Sequence, residues 1–577
     1  MAQLYVLVLM VQCFPAALAN SHSSWISPPY NYFFQFPLPI PPNINALTSF
    51  TDPNTNTTID FFQLNVTSFQ APIYPDLGKA HLVGYNGISP GPTFRIHRER
   101  QSVVRVVNQN AQPTVLHLHG SYTRAVWDGW AEDLIQPGEY KDYYFPNSNT
   151  ARTLWYHDHA VMITSVNLYA GLAGFYIIED PELEARLGLP QGKYDVPLAI
   201  GAKQYTSTGD LTQVADEVES VYGDVVEVNG QPWPFLFVEP RKYRFRILNT
   251  ALSRSFILGV SDSDSGAAVP FQIVASDSGF LSAPVTSTEL TVAMAERWEV
   301  IIDFSDYKNR NLTLTNQRNV FDAPDYAGTD RVMQFNVGSV ASSTSNNGPT
   351  PSSLIAIKVP SATATVDRTF KFDKEHDTWV INGVSFNDVK NRVLANPSRG
   401  GTEMWLLENQ NGFWSHPIHM HMVDFQIISR ENGRNIVEPY EKVALKDVVL
   451  LGPKEKVTVA VTFAPFAGLY MFHCHNAIHE DHAMMDAFNV TERLGLGHSA
   501  SDSNFTDPLD ARWKARNSTN VDSQSALKDT LLQFLATGAY QNSSNQETQA
   551  PVLTSRGVST RPQWLSLLLA PFAGTLI

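Results

Sequence analysis

Four pairs of closely spaced histidines constrain how this chain of 577 residues can fold more than any other feature. In a strand, residues i and i+2 face the same side, so each His-x-His pair presents two imidazoles together. Two pairs lie in the first third of the sequence and two in the last third, and no histidine occurs between His159 and His376. A single pair is a weak signal, but four pairs placed in this way predict one cluster where the two ends of the chain meet. The motifs comprise His117, His119, His157, His159, His416, His419, His421, His473, His475 and His479.

Apolar and polar residues alternate in short runs from about residue 60 to 490, which is typical of half-buried strands. The segments 243–247 and 457–463 show the pattern most clearly. With 33 Gly and 36 Pro residues, turn-rich β structure is favoured over helical bundles. We therefore predict an all-β fold.

One strand–turn–strand arrangement occurs three times along the chain. In each copy an Asn-Gly turn is followed, about twenty to twenty-seven residues later, by a strand that ends in Asn. The turns begin at Asn86, Asn229 and Asn382, and the strands cover 105–109, 246–250 and 405–410. Three copies predict three similar β-sandwich domains.

Two connectors separate the copies, one near 179–196 and one, rich in Ser, Thr and Pro, at 341–365. Past residue 492 the alternation fades, and 524–537 is predicted to form one short helix. The predicted division is a signal peptide at 1–19, sandwich domains at 20–185, 186–345 and 346–492, and a short C-terminal tail, partly helical or disordered, at 493–577.

Both ends of the chain indicate secretion. The apolar run at 4–14, followed by Ala17-Leu18-Ala19, fits a signal cleaved before Asn20, although a buried strand is the alternative. Cleavage removes Cys13 and leaves Cys474 unpaired. Seven glycosylation sequons agree with an extracellular protein. They begin at Asn56, Asn65, Asn311, Asn489, Asn504, Asn517 and Asn542.

The apolar segment 564–577 is too short to span a bilayer. Small residues around Ser555 and Gly557, a polar spacer and this apolar end fit an attachment signal for a GPI lipid anchor. A frayed or docked C-terminus fits equally well, so attachment to a membrane or cell wall stays open.

The charge argues against nucleic acid as a partner. The chain has 41 Lys and Arg against 56 Asp and Glu, a net charge of −15, and phosphate backbones require the opposite sign. The basic tract 241–246 is interpreted as a solvent-exposed strand face. We expect a monomer that acts on small molecules.

Cys474 lies between His473 and His475, so in a strand its sulfur faces away from both imidazoles. A separate site can therefore form on the side of the sulfur. Two histidines, one thiolate and a distant thioether are the ligands of blue copper, whereas a lone cysteine is ordinarily a small buried apolar residue. The residues available for such a site are Cys474, His416, His479 and Met484.

This pattern resembles the multicopper oxidases, and residues from about 60 to 490 resemble the fungal bilirubin oxidases and related laccases. The stretches that carry the likeness are HLHGSYTRAVWDGWAED (117–133), ARTLWYHDHA (151–160), VNGQPWPF (228–235), VEPRKYRFR (238–246), HPIHMHMVDF (416–425) and FHCHNAIHEDHAMM (472–485). The resemblance implies three cupredoxin-like Greek-key β-sandwich domains and four coppers. It also implies coupling of four one-electron oxidations of a donor to reduction of O2 to water.

Matching motif positions distributes the ligands among the coppers, with none in the domain at 186–345. The resemblance assigns type 1 copper to His416, Cys474, His479 and Met484, type 2 copper to His117 and His419, and the type 3 pair to His119, His157, His159, His421, His473 and His475.

Asp128 and Glu480 match positions that handle protons in the family, although an ordinary hydrogen-bonded loop acid is the alternative for each. Trp414 is expected over the substrate-side edge of the type 1 site, or as simple packing. Ala483 stands at a position where members of the family commonly carry Asp. The reduction potential of their type 1 copper is therefore not assumed for this chain.

The sequence therefore predicts a secreted multicopper oxidase that takes electrons from phenolic, aryl or tetrapyrrole donors. Phenol coupling in the biosynthesis of pigments or other secondary metabolites is compatible with the same chemistry. A ferroxidase would need acidic residues converging near His416 and His479. A non-enzymatic copper-binding wall protein would consume no O2 with any donor.

Overall fold

The computed structural model describes residues 25–318, 321, 324, 326–492, 504–518 and 523–540. The predicted signal peptide and the predicted anchor segment lie outside the described residues. Strands dominate the described chain and pack as three β-sandwiches in sequence order. The prediction of an all-β fold with three sandwiches is confirmed. No described helix has the length and apolar character needed to cross a bilayer.

The first sandwich has two sheets. One has the order β1-β2-β5-β7-β32, with β3 beside β2 and with β32 (Arg516–Asn517) supplied by the C-terminal part of the chain, and the other has the order β4-β9-β8-β6. Its strands are β1 (Thr48–Thr51), β2 (Thr58–Ala71), β3 (Ala80–Tyr85), β4 (Gly91–His97), β5 (Gln101–Asn108), β6 (Leu116–His119), β7 (Glu139–Phe145), β8 (Arg152–Asp158) and β9 (Ala173–Glu179). Two helices follow its last strands, α1 (Thr164–Ala170) and α2 (Pro181–Arg186).

The second sandwich has sheets in the orders β12-β11-β10-β14-β19-β16-β17 and β13-β21-β20-β15-β18. Its strands are β10 (Asp195–Lys203), β11 (Val225–Val228), β12 (Gln231–Pro232), β13 (Phe235–Val238), β14 (Lys242–Asn249), β15 (Phe256–Asp262), β16 (Phe271–Ser276), β17 (Gly279–Ser287), β18 (Glu289–Val292), β19 (Arg297–Asp303), β20 (Asn311–Asn316) and β21 (Arg331–Val337).

The third sandwich has two five-stranded sheets, β23-β22-β25-β29-β27 and β24-β31-β30-β26-β28. Its strands are β22 (Arg368–Glu375), β23 (Thr378–Ile381), β24 (Val393–Ala395), β25 (Thr402–Asn409), β26 (His416–Met420), β27 (Phe425–Glu431), β28 (Val448–Leu451), β29 (Lys456–Thr462), β30 (Gly468–Cys474) and β31 (Met485–Val490). It also contains the helices α3 (Pro439–Lys442) and α4 (Ala477–Asp481). Beyond it come β32 (Arg516–Asn517) and α5 (Gln524–Ala536), where the sequence predicts a helix.

The Asn-terminated strand has the same local structure in each sandwich. Strands β5, β14 and β25 end at Asn108, Asn249 and Asn409, and each runs parallel to the first long strand of its sandwich. Each of these side chains donates its amide hydrogens to two backbone carbonyls and accepts from the backbone N–H two residues later. The asparagine thereby fixes the corner where each strand ends.

The interpretation of 241–246 as a solvent-exposed face is wrong. Arg244 and Arg246 on β14 are buried, because β8 and α2, which belong to the first sandwich, cover this face: Arg246 donates to Thr153 and Arg244 to Glu184. Arg246 donates to Asp195 and to Glu299, each at 2.7 Å. A buried guanidinium is tolerated where carboxylates pair with it in this way.

Candidate metal centre

The strands place the histidine pairs side by side. In the first sandwich β6 and β8 are antiparallel neighbours, with His117 opposite His157. In the third sandwich β26 and β30 are antiparallel neighbours, with His419 opposite His473. The remaining pair members continue these strands, so two histidine-bearing strand pairs face each other from different sandwiches.

Eight imidazoles meet where the first and third sandwiches touch, and all are at most 1% exposed. The Nε2 atom of His473 lies 3.2 Å from the Nε2 atoms of both His159 and His421. His119 Nδ1 lies 3.4 Å from His157 Nε2. The predicted cluster between the two ends of the chain is thus present as geometry. Its members are His117, His119, His157, His159, His419, His421, His473 and His475.

Six of these eight rings have an outer nitrogen that is held by an oxygen acceptor. His117 Nδ1 donates to the carbonyl of Asp128 at 2.5 Å, and His157 Nδ1 donates to the carbonyl of Asp158 at 2.8 Å. Because each outer nitrogen then carries the proton, the inner nitrogen presents a lone pair. Backbone carbonyls orient metal-binding histidines in the same way.

Three of the inner nitrogens, Nε2 of His117, His419 and His475, are buried with no hydrogen-bond partner among the described residues. Burial lowers the pKa of every cluster imidazole, and the neighbouring imidazoles add to this effect for most of them. The rings are therefore neutral, which is the form that binds metals. The residues present fit copper.

A second buried group lies on the other face of β30. Cys474 Sγ is 3.4 Å from His416 Nδ1 and 3.7 Å from His479 Nδ1. The sulfur accepts from the backbone N–H of Asn476 at 3.4 Å. Met484 is fully buried in the same core, and its carbonyl accepts the N–H of Cys474 at 3.0 Å. One thiolate and two neutral imidazoles in an apolar environment suit a soft copper site.

The two carboxylates singled out in the sequence both reach the cluster. Asp128 Oδ2 accepts from His421 Nδ1 at 2.7 Å, and burial raises the pKa of Asp128 well above its usual range. The oxygens of Glu480 lie 3.3 Å from His473 Nδ1 and 3.6 Å from His159 Nε2. Burial raises the pKa of Glu480 to about 7.

Sequence reasoning missed Asp447. Its Oδ1 accepts from His119 Nε2 at 3.1 Å, and its carbonyl accepts from His419 Nδ1 at 2.9 Å. Arg297 from the second sandwich donates to both Asp447 oxygens, at 2.7 and 2.5 Å. The sandwich without histidines thus orients the cluster through this ion pair. Arg297 and Asp447 are far apart in sequence, so no local pattern indicated their pairing.

The aromatic neighbour of the cysteine site also differs from expectation. Trp379, which the sequence analysis did not single out, stacks on His479 with ring centroids 3.8 Å apart. Trp414 packs edge-on against Trp379 at 5.2 Å, one layer further out. Ala483, immediately before Met484, is buried and has a φ of 77°, in the left-handed region.

Comparison with known proteins agrees with this geometry. Two family models described as "Multicopper oxidase" match residues 69–183 and 358–493. A bilirubin oxidase from Albifimbria verrucaria is 48% identical over 500 residues, which cover 85% of this chain and 86% of that protein. The chain belongs to the multicopper oxidases. A laccase from Bacillus subtilis is 30% identical over 495 residues, covering 75% of this chain and 94% of the laccase.

Solved multicopper oxidases share the architecture. The structure of McoA from Aquifex aeolicus superposes with a TM-score of 0.70 at 25% identity, covering 79% of this chain and 99% of that one. The sandwiches of this multicopper oxidase are therefore cupredoxin-like. The protein is a copper-dependent oxidoreductase that uses O2 as acceptor, with type 1, type 2 and type 3 copper.

Removing copper should lower the melting temperature of this multicopper oxidase. A ligand that binds only the folded state stabilises it by about 4 kcal/mol at 1,000 times its Kd, and the unpartnered imidazole nitrogens supply such binding. The measurement is thermal unfolding before and after dialysis against a chelator. Copper should restore the loss and Mg²⁺, which prefers oxygen ligands, should not. Identical melting curves for the two forms would contradict the expectation.

Proposed function

We propose that each copper binds the ligands that the sequence motifs assign to it. This proposal rests on two buried groups of donor atoms, which lie on opposite faces of β30. The thiolate of Cys474 lies with two imidazoles on one face, while His473 faces the eight-imidazole cluster. Type 1 copper is assigned to His416, Cys474, His479 and Met484, type 2 to His117 and His419, and the type 3 pair to His119, His157, His159, His421, His473 and His475.

Bound copper supplies the one-electron redox chemistry and the site of O2 reduction. The chain itself supplies the connection, because Cys474 is joined to His473 and His475 by single peptide units. An electron that enters at the sulfur therefore has a short covalent path to the cluster. Because the cysteine site and the histidine cluster are separate, donor oxidation and O2 reduction take place at different sites.

Protons for O2 reduction are proposed to pass through Asp128 and Glu480. Asp128 holds the imidazole of His421 by one carboxylate oxygen and that of His117 by its backbone carbonyl. Glu480 lies on another side of the cluster, beside His159 and His473. Buried carboxyls with raised pKa values hold protons near neutral pH and so suit general acid catalysis.

The donor is proposed to be a phenolic, aryl or tetrapyrrole compound. Outside His479 lie Trp379 and Trp414, and beyond them Phe413 is 78% exposed. The ammonium of Lys374 lies 5.3 and 5.4 Å from the two tryptophan ring centroids. Aromatic faces with a cation suit planar donors that carry an acidic group. The relative named bilirubin oxidase supports the tetrapyrrole as one candidate.

A ferroxidase is less well supported. A ferroxidase would need acidic residues converging near His416 and His479, whereas Glu219, an acid on this side, pairs with Lys374 at 3.3 Å. Copper storage is also disfavoured, because the family members named above are oxidases.

We also propose a secreted, glycosylated monomer built from three copies of one repeat. The proposed domains end at residues 185, 345 and 492. The first two boundaries lie between strands, one between β9 and β10 and the other between β21 and β22. Four sequon asparagines, Asn56, Asn311, Asn504 and Asn517, are exposed and available to glycan. The GPI anchor remains a proposal that rests on the sequence alone.

The test is a donor panel scored by oxygen uptake, with bilirubin, a simple phenol, Fe(II) and ascorbate. We expect turnover of bilirubin and the phenol to exceed that of Fe(II). Lys374→Gln should raise KM for bilirubin, whose propionates are negatively charged, by about fivefold, the upper range for the loss of one solvent-exposed ion pair, and leave the neutral phenol unaffected. Lys371→Gln, an exposed lysine on the same strand, is the matched control. Preferential Fe(II) turnover would refute the donor assignment.

A further inference from the structure

The chain continues past the third sandwich as a strap, defined here as residues 504–518 and 523–540, that packs on the first sandwich. Strand β32 extends the larger sheet of that sandwich, with Arg516 opposite Tyr140 on β7. Helix α5 begins with Ser523 as its cap and lies along the same surface. The helix buries three apolar side chains in the core of the first sandwich, namely Leu527, Leu531 and Phe534.

The end of the strap binds the turn that precedes Asp128. The guanidinium of Arg124 donates to the carbonyl of Ala539 through Nε at 3.1 Å and Nη2 at 3.0 Å. The backbone N–H of Arg124 donates to the hydroxyl of Tyr540 at 3.2 Å. That hydroxyl in turn donates to the carbonyl of Tyr144 on β7 at 2.9 Å. The turn is thus connected to the sheet through Tyr540.

The indole of Trp127, in the same turn, is fully buried and lies mainly against the strap. Its ring centroid is 4.9 Å from that of Trp513 and 5.4 Å from that of Phe505. The rings of Phe534 and Tyr540 lie at 5.9 Å. Four aromatic side chains from the strap therefore hold the residue directly before Asp128.

We propose that the strap positions Asp128 against the histidine cluster, with Arg124 and Tyr540 as positioning residues. Between β6 and β7 the chain forms a loop with a short 3-10 turn at Ala125–Trp127, and side chains from other segments hold this turn. Lys141 on β7 donates to the carbonyl of Val126, and Tyr470 on β30 donates to the carbonyl of Thr123. The strap adds its own contacts to this turn through Arg124 and Trp127. Asp128, which follows the turn, is hydrogen-bonded to His117 and His421. The inference rests on the proposed function, because it takes His117 as a ligand of type 2 copper.

The test is Tyr540→Phe in the copper-loaded enzyme, which removes the hydroxyl and keeps the ring. We expect a changed EPR spectrum of type 2 copper and an unchanged blue absorption. Reoxidation of the reduced enzyme by O2 should slow about fivefold, the effect of losing one buried hydrogen bond. Arg124→Lys should give the same spectral change. Leu532→Ala, on the exposed side of α5, is the control and should change neither signal.

A Tyr540→Phe enzyme with a lower melting temperature but the wild-type EPR spectrum and reoxidation rate would overturn the inference, since the strap would then be purely stabilising. If Tyr540→Phe does not fold, the Arg124→Lys spectrum decides in the same way. A wild-type enzyme without any type 2 signal would instead refute the ligand assignment under the proposed function.

Discussion

Replacing Cys474 by Ser is expected to abolish both the blue absorption and the oxidase activity. The absorption requires a copper–thiolate bond, and the hydroxyl of serine does not supply one. The sulfur is also the start of the covalent path through His473 and His475, so donor electrons lose their entry point. Because Cys474 faces away from the cluster, copper bound to the eight imidazoles should be retained.

The measurement combines the visible spectrum, copper content and oxygen uptake with a phenolic donor. Met484→Leu is the matched control, since it alters the weak axial position and leaves the thiolate in place. That variant should keep its blue band. Oxygen uptake by Cys474→Ser at the wild-type rate would refute the assignment of the entry site.

Asp128→Asn is expected to slow O2 reduction by about 100-fold, the lower range for loss of a positioned general acid. Asparagine has nearly the same shape and keeps an acceptor for His421 Nδ1, but it carries no transferable proton. The type 1 site is separate, so the blue band should remain intact. Return of the blue colour after anaerobic reduction and mixing with O2 measures the relevant step.

Glu132→Gln is the control for this substitution. Glu132 lies on the same loop and pairs with Arg392 at 2.7 Å, away from the histidines. It should reoxidise at close to the wild-type rate. An unchanged rate in Asp128→Asn would remove Asp128 from the proton route and leave Glu480 as the candidate.

Much of the site follows from local sequence patterns. The period of two in a strand places His473 and Cys474 on opposite faces, and the structure has them so. The Asn-Gly turns and Asn-terminated strands predicted three sandwiches, because a short turn and a strand end depend on nearby residues. The sequence also predicted a short helix at 524–537, where the strand alternation has faded, and the structure has a helix at Gln524–Ala536.

The errors and omissions concern contacts between distant segments. Alternation in β14 marks two strand faces but does not say which face another sandwich covers, so the burial of Arg244 was not predicted. Arg297 acts on the cluster through Asp447, and Trp379 stacks on His479; no local sequence pattern predicts either contact. Charged pairs and stacked rings of this kind become visible only when the sandwiches are placed together.

The histidine cluster draws on residues from 117 to 475, and the turn beside it is held by Tyr540. During translation the donors from the early sandwich emerge hundreds of residues before their counterparts. No intermediate of synthesis that ends before His475 can present the full set of nitrogens. The cluster can therefore take up its full set of metal ions only late in biogenesis. A truncated translation product that lacks the later histidines would be unable to bind all of these ions.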